Sequence, residues 1–205
     1  MSTATPFESS PVSPAAAVAA ATLAPTAATW DIDSSHANAG FRVRHLMVSH
    51  VRGQLGPVTG TAFIDQRDLA KSRLDVSVDV RGIDTRDLKR DEHLRSADFF
   101  DVEHHPTVTF RSTRVEAPSG AEGNLRVTGD LTMRGVTLPV TLEVEPLPPA
   151  IRDPWGNARV GVSARGRLSR KAWGLQWNLA LEAGGLAVGD EVVIEIDAEL
   201  TTRLA

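Results

Sequence analysis

The sequence predicts an all-β protein whose strands close into an antiparallel barrel. Apolar and polar side chains alternate with a period of two along most of the chain from residue 29 onward. Short segments of turn-forming residues connect these runs, and only one segment has helical character. Each run therefore has one dry and one wet face, as expected of strands in a sheet that wraps around its own apolar side.

The first part of the alternating region predicts three strands. Residues 30–33 form a short strand, and residues 38–45 form a second one that places Phe41 and Val43 on the same face. Residues 58–65 form a third, in which adjacent Phe and Ile residues leave open which face turns inward. These three strands are less regular than the ones that follow them.

Strict alternation begins in residues 74–81, where Leu and Val alternate with Asp, Ser and Arg. Residues 86–100 then form the segment with helical character, because oppositely charged residues three and four positions apart pair along a helix. Residues 106–116 predict another strand, which carries Val108 and Phe110 on one face. The helix is therefore expected to lie between two strands, across an end of the sheet.

The last strands alternate most clearly. Residues 125–134 and 136–145 are joined by a tight turn at Met133–Val136, with Arg and Gly at its centre. Residues 159–168 follow a longer Asp-Pro-Trp-Gly-Asn turn, and residues 191–200 complete the series. Such short links between strands favour antiparallel pairing.

These runs amount to eight or nine strands in one sheet. An open sheet of that size has two unpaired edges and needs a covering layer, which a single helix cannot provide. Closing the sheet into a barrel removes both difficulties. A β-sandwich remains the structural alternative, because alternation alone does not distinguish the two architectures.

Composition limits the organisation of the chain. Residues 1–28 are mainly Ala, Ser, Thr and Pro and carry a single charge, Glu8, so they bury too little area to form a core. We expect a disordered tail over residues 1–28 and one barrel domain over residues 29–205. No Lys or Arg precedes the Ala-rich stretch at residues 15–24, which favours a cytoplasmic protein, with a secreted or periplasmic one as the alternative.

Charge and residue usage argue against several function classes. The formal net charge of −4 argues against binding to nucleic acid, which needs a basic surface. The chain contains no Cys, so disulfides, thiolate catalysis and Cys-ligated metals are excluded. A transmembrane helix needs roughly 18 or more consecutive apolar residues, and no such run occurs.

Two segments in the middle of the chain carry a specific motif. Residues 90–102 read RDEHLRSADFFDV, and residues 129–136 read GDLTMRGV. Together with shorter matching segments before and after them, these two segments resemble the YceI-like family of lipocalin-like polyisoprenoid-binding proteins over residues 29–203. The shorter matching segments are, in chain order, Trp30–Asp33, His36, Phe41, His45–Leu46, Val51–Gly53, Ile83–Thr85, Pro106, Thr109–Phe110, Ser112–Thr113, Asp153, Trp155–Gly156, Arg170, Gly174–Leu175 and Trp177–Asn178.

The resemblance implies an extended eight-stranded antiparallel lipocalin-like β-barrel with one or two short helices capping an end. It also implies an interior pocket for a long isoprenoid chain and no known reaction. We therefore expect the barrel to bind and shield a polyisoprenoid or an isoprenoid-tailed lipid in a carrier or storage role. The residues alone leave both a filled core and a ligand cavity open, and the resemblance favours the cavity. The residues expected to contact the ligand are Phe41, Val43, Phe99, Phe100, Val108, Phe110, Trp173, Leu175 and Trp177.

On this interpretation the lipid is the bound ligand, and we expect no other cofactor, no metal and no catalytic residue. The partners are a long-chain lipid and, in a possible homodimer, a second copy of the chain. The charged helix has two interpretations. It is either a solvated cover, or a lid in which Phe99 and Phe100 plug the mouth while Arg86 or Arg95 meets a lipid headgroup.

Two other function classes remain open. An enzyme acting on an isoprenoid or amide lipid would use His36 or His93 as its general base. Residues 33–36 contain Asp, Ser and His, but neighbours on an extended chain point to opposite faces and should not form a relay. A metal- or haem-binding barrel would use His45, with His50 or His36 as the residue that meets it in space.

Overall fold

The computed structural model describes residues 26–117, 123–180 and 186–203. Most of the predicted tail, up to residue 25, lies outside the described residues. The described strands are β1 (Ala27–His45), β2 (Ser49–Gln54), β3 (Val58–Asp65), β4 (Arg73–Asp79), β5 (Thr107–Glu116), β6 (Leu125–Met133), β7 (Val136–Val144), β8 (Ile151–Arg152), β9 (Asn157–Ser169) and β10 (Val188–Arg203). One α-helix, α1 (Leu88–Arg95), and three 3-10 turns (Leu69–Lys71, Val80–Gly82 and Arg170–Trp173) complete the described elements.

Eight strands form a closed antiparallel ring. They pair in the order β10–β1–β3–β4–β5–β6–β7–β9, and β9 pairs again with β10 along its whole length. The short strands β2 and β8 lie outside the ring, on β1 and β9 respectively. The predicted antiparallel barrel is confirmed, and the sandwich alternative is wrong because hydrogen bonds continue around the ring without a break.

The two strands predicted over residues 30–33 and 38–45 are one long strand, β1. Ile32 pairs with Leu200 and Ala37 with Ala198, so four residues of β1 stand opposite the single residue Glu199. This bulge shifts the alternation between the two halves of β1, which is why the sequence pattern separates them.

Sequence reasoning missed β2. This strand forms a hairpin with the end of β1, and residues 46–48 make the turn at its tip. Leu46 and Met47 both have positive φ angles, 49° and 60°. Neither residue type signals a turn, since Gly, Asn and Asp are the residues that usually adopt this conformation.

The predicted turns are confirmed. Arg134 and Gly135 both have positive φ angles, 50° and 73°, as a two-residue hairpin of the favoured hand requires. In the longer turn the Asp153 carboxylate accepts hydrogen bonds from the backbone N–H groups of Trp155 (3.0 Å) and Asn157 (2.8 Å). The Asp-initiated turn therefore sets the start of β9.

The helix is shorter than the predicted residues 86–100. It begins after Asp87, whose side chain accepts a hydrogen bond from the N–H of Arg90 (3.1 Å), and it ends at Arg95. The Ser96 hydroxyl donates to the His93 carbonyl (2.8 Å) and satisfies one of the last helical acceptors. Turns follow, and they carry Phe99 and Phe100 into the barrel.

Gly129 in β6 leaves space for a neighbouring aromatic ring. A Cβ atom at this position would lie 2.5 Å from the Arg111 carbonyl oxygen and 2.6 Å from Cζ of Phe110. We expect Gly129→Ala to lower the free energy of unfolding by about 1–3 kcal/mol through overpacking. Gly161→Ala is the control, because nothing lies within 4 Å of the added Cβ, and it should be neutral or slightly stabilising. Urea unfolding checks both variants, and equal losses would contradict the expectation.

Candidate functional site

The barrel encloses a cavity of about 220 Å³. For comparison, an engineered apolar cavity of about 150 Å³ is enough to hold benzene. Among the described residues that line it, every one is apolar except Arg170. The inward-facing residues of β10 alone, from Val188 to Leu200, line the cavity over roughly 40 Å of strand. The cavity is thus long, narrow and uniformly apolar.

Seven of the nine predicted ligand residues lie on the cavity wall. The wall includes Phe41, Val43, Phe99, Phe100, Val108, Phe110 and Leu175, and it does not include Trp173 or Trp177. Whether the wall residues contact a ligand remains a prediction. For six of them this placement follows from the alternation of β1 and β5 and from the turn after α1, whereas Leu175 follows the 3-10 turn Arg170–Trp173.

Trp173 and Trp177 lie outside the wall because the chain there is not extended. The alternation of Trp173, Leu175 and Trp177 suggests a strand, but Arg170–Trp173 is a 3-10 turn ended by Gly174, whose φ is 80°. Trp173 is buried in the core, and its indole N–H donates to the Leu131 carbonyl (3.1 Å). The prediction of a shared strand face was therefore wrong for these residues.

The connection between β4 and β5 covers one end of the cavity. Asp84 exchanges two backbone hydrogen bonds with Gln54 of β2 (2.9 and 3.0 Å), which ties the connection to the β1–β2 hairpin. The buried carboxylate of Asp91 accepts hydrogen bonds from the N–H (2.8 Å) and hydroxyl of Thr85, and Arg90 Nε donates to the same hydroxyl (2.7 Å). This network holds α1 in place over the cavity.

An aromatic cluster closes the same end. The ring of His93 stands edge-on to Phe99 and Trp177, with centroid distances of 5.0 and 4.6 Å. His93 Nε2 also lies 2.8 Å from a carboxylate oxygen of Asp98. Phe99 and Phe100 are buried and line the cavity, as the lid interpretation requires. The far end is filled by a second cluster around Trp30, which is 2% exposed.

Arg170 is buried beside the cavity, and its charged guanidinium group points away from the cavity. Its Nε donates to the Gly189 carbonyl (2.8 Å), and Nη1 donates to the carbonyls of Leu175 and Trp177, the latter at 3.0 Å. Only its aliphatic stem is therefore left to border the apolar space. Burial lowers the pKa of Arg170, and the charge of Asp190 opposes that shift. The sequence motif contains Arg170, but nothing in the pattern identifies this clamp.

The set of polar residues at 33–36 lies on the outside of the barrel and comes together. The Ser35 hydroxyl lies 3.0 Å from His36 Nδ1, and Asp33 lies 2.9 Å from the same nitrogen. The expectation that these neighbours diverge was wrong, because the bulge in β1 gathers them. A relay needs the two ring nitrogens of His to contact different partners, whereas here both contacts use Nδ1.

Arg159 occupies the centre of this outer cluster. Asp33, His36 and Glu199 place one potential metal-binding atom each within 4.8 Å of one another. However, Arg159 Nη1 already donates to Asp33 (2.7 Å) and to Glu199. A guanidinium group between the two carboxylates offsets part of their negative charge and repels a metal cation, so the cluster is an ion-pair network that joins β1, β9 and β10.

This network predicts a pH effect. Hydrogen bonds from Ser35, Arg159 and His36 hold the pKa of the Asp33 carboxyl well below its ordinary value of 3.8. Its contribution to stability is therefore present above pH 3.8 and is lost as the pH falls further. We expect Asp33→Asn to cost about 1 kcal/mol at pH 7 and progressively less below about pH 4. Urea unfolding at pH 7 and pH 3 checks this, with the exposed Asp31→Asn as the control. A gap that stays constant with pH would contradict it.

The proposed haem or metal histidines do not meet. His36 lies in the bulge of β1 and His45 at its end, nine residues further, so about 30 Å of strand separates them. On the hairpin His45 pairs with Ser49, while His50 pairs with Arg44. Adjacent pairs in a ladder point to opposite faces, which separates the rings of His45 and His50.

No helix in the described part of the chain is long and apolar enough to cross a membrane.

The chain is similar to one known family over most of its length. The model of the YceI-like domain family matches residues 30–200. A UPF0312 protein of Vibrio cholerae is 39% identical over 163 residues, which cover 78% of this chain and 85% of that protein. Protein YceI of Escherichia coli is 39% identical over 167 residues, or 82% of this chain and 83% of that protein.

Solved structures share the fold. Burkholderia cenocepacia BcnA superimposes with a TM-score of 0.69 at 21% identity, covering 82% of this chain and 99% of that one. A polyisoprenoid binding domain from Saccharophagus degradans, implicated in plant cell wall breakdown, superimposes with a TM-score of 0.58 at 13% identity, covering 83% and 97%. At these identities the likeness shows the fold alone.

Proposed function

This chain belongs to the family of YceI-like domains, and from that premise we propose that its barrel carries a long apolar lipid, a polyisoprenoid or an isoprenoid-tailed lipid, shielded from water. The observation that carries the proposal is the cavity wall, which is apolar throughout its described residues apart from the stem of Arg170. A wall of this kind binds through the hydrophobic effect and through shape.

The energy available is sufficient. Burying on the order of 400 Å² of hydrocarbon contributes about 10 kcal/mol at roughly 25 cal/mol per Å². Ordering a flexible chain removes several kcal/mol of that gain. The remainder corresponds to micromolar or tighter binding without any charged contact.

The wall also restricts the ligand's chemistry. A polar headgroup inside the cavity would lose its hydrogen bonds to water, and the apolar wall offers none in exchange. The hydrocarbon therefore occupies the cavity, and a headgroup stays near the covered end, where His93 and Asp98 are partly exposed. Branched isoprenoid methyl groups suit the flat rings of Phe41 and Phe110, which line the wall from β1 and β5.

The positions of the polar groups favour a binding protein over an enzyme. The apolar side chains of the described wall include no nucleophile and no general base. The outer Asp33–His36 cluster faces away from the ligand, with the sheet between them, and the His93 ring is engaged with Asp98, Phe99 and Trp177. An enzyme with His36 or His93 as the base is therefore the weaker hypothesis.

Lipid analysis of the purified protein tests the proposal. Organic extraction followed by mass spectrometry should release an isoprenoid lipid in near-stoichiometric amount. The delipidated protein should then take up an added long-chain isoprenoid alcohol and gain thermal stability, as a ligand specific for the native state requires. The control is Trp155→Ala, at an exposed turn far from the cavity, which should bind equally well. A delipidated protein that takes up no such lipid and gains no stability would contradict the carrier function.

A further inference from the structure

The tip of the β1–β2 hairpin exposes apolar side chains. Leu46, Met47 and Val48 are 41%, 53% and 79% exposed. Leu179 and Leu186 are also exposed, at 57% and 38%, and they adjoin the tip. The contact is direct, because the N–H of Leu46 donates to the Ala187 carbonyl (2.8 Å), and the N–H of Ala187 donates to the Leu179 carbonyl (2.9 Å). We call these five exposed residues the apolar tip.

Cationic side chains flank the apolar tip on one face of the hairpin. Arg42 pairs with Arg52 across the two strands, and Arg44 pairs with His50. Residues directly opposite each other in a ladder share a face. Phe41 and Val43 line the cavity, so the alternating arginines face outward. Like charges placed opposite each other destabilise a hairpin, so their presence needs another reason.

These cations have no carboxylate partner among the residues that the structure describes. None of the three guanidinium groups forms an ion pair within the described residues, whereas Arg111, Arg114, Arg159 and Arg167 in other strands do. The Nε of Arg42 is shielded from water and has no hydrogen-bond acceptor among the described residues. Partial desolvation and the charges of Arg44, Arg42 and Arg52 lower the pKa of His50. Within the described part of the chain, no anion is therefore paired with the cations of this face.

We propose that the apolar tip and the Arg42–Arg44–Arg52 face dock this protein on an anionic phospholipid bilayer. Apolar side chains next to cations match the order of acyl chains and phosphates at a bilayer surface. Arg44 lies two residues from Leu46, about 7 Å along the strand, which is within the thickness of a headgroup layer. The apolar tip exposes aliphatic side chains and one thioether and no aromatic ring, which suits a fluid lipid surface better than a shaped pocket on a protein.

The charge of the whole chain limits how it can meet an anionic surface. The net charge is −4, so such a surface repels the molecule as a whole, and attraction has to come from a local cationic face such as this one. Val43 and Val188 line the cavity beside the same hairpin. Docking here brings that end of the cavity to the bilayer. The docking surface does not depend on what the cavity holds, so its test and the lipid-extraction test fail independently.

Vesicle flotation tests the proposal with the full chain. Vesicles of phosphatidylcholine are compared with vesicles that contain about one quarter phosphatidylglycerol. We expect binding to the anionic vesicles only, and it should fall as NaCl rises from about 50 to about 500 mM. Each arginine near an anionic surface contributes about 1 kcal/mol, or roughly fivefold in the partition coefficient. The double variant Arg44→Glu/Arg52→Glu should therefore bind at least about 25-fold more weakly.

Matched controls separate the hairpin from general surface effects. Val48→Asp should abolish flotation, whereas Trp155→Asp should not, although both residues are 79% exposed. Arg152→Glu, at the same end as Trp155 and also exposed, should retain binding. Equal binding to neutral and anionic vesicles, or equal losses at Val48 and Trp155, would overturn the proposal. So would hairpin-dependent self-association without vesicle binding, since the face would then be a dimer interface.

Discussion

Replacing Arg170 by Met is expected to lower the free energy of unfolding by about 3–5 kcal/mol. The Met side chain keeps an apolar stem against the cavity but has no N–H groups. The carbonyls of Leu175, Trp177 and Gly189 then lose their donors in a buried site, and each unsatisfied acceptor costs about 1–3 kcal/mol. Arg170 joins the turn after β9 to the start of β10, so the barrel end should loosen as well.

Arg167→Met is the matched control for that loss. Arg167 precedes Arg170 by three residues, has a side chain 68% exposed, and pairs with Glu191 (2.8 Å). An exposed ion pair contributes about 0–1 kcal/mol, so the same substitution should cost little. Urea unfolding at pH 7 measures both variants. Similar losses at the two positions would show that the buried clamp is not what stabilises this end.

Phe110→Trp is expected to abolish lipid uptake while the fold stays intact. Phe110 lines the cavity, and the empty space beside it accepts a larger ring that would strain a filled core. Phe110→Ala should instead weaken lipid retention. It should cost less than the about 3–5 kcal/mol of a Phe deletion in a packed core, because one side of the ring already borders empty space. Lipid extraction and thermal unfolding give the two measurements.

Leu125→Ala is the control for the Phe110 variants. Leu125 is buried in the same core cluster but does not line the cavity. Its truncation should cost about 2–5 kcal/mol and leave lipid retention unchanged. Severe destabilisation by both Phe110 variants, with no lipid in the parent protein, would mean that the barrel is filled and that the carrier function is wrong.

Period-two alternation predicts the barrel well wherever a strand is regular. Val108 and Phe110 in β5 face the interior as their parity indicates. In β3 the inward phase belongs to Ala62 and Ile64, which pack in the cluster around Trp30, while Phe63 faces outward. The sequence leaves that choice open because both neighbours are large and apolar, and only pairing with β1 decides it.

The features that could not be predicted from the sequence depend on backbone geometry, and the residue types at these positions do not indicate that geometry. The bulge in β1 gathers residues 33–36, but nothing in their types indicates four residues opposite one. The β1–β2 turn uses Leu46 and Met47 at positive φ, where turn-forming residues would be expected. The clamp of Arg170 and the network around Asp91 use backbone acceptors and donors, which every residue has.

The order of strands around the ring has a consequence for how the protein is made. β10 pairs with β1 on one side and β9 on the other, so the first and the last strands of the ring in chain order are neighbours. On the ribosome, β1 and β9 each keep an open edge until β10 has emerged. Contacts this distant in sequence form slowly, and the nascent chain exposes its apolar wall meanwhile. Until β10 is available, the nearly complete barrel cannot close and is exposed to chaperones and proteases. A chain interrupted before β10 is therefore expected to be degraded or to aggregate.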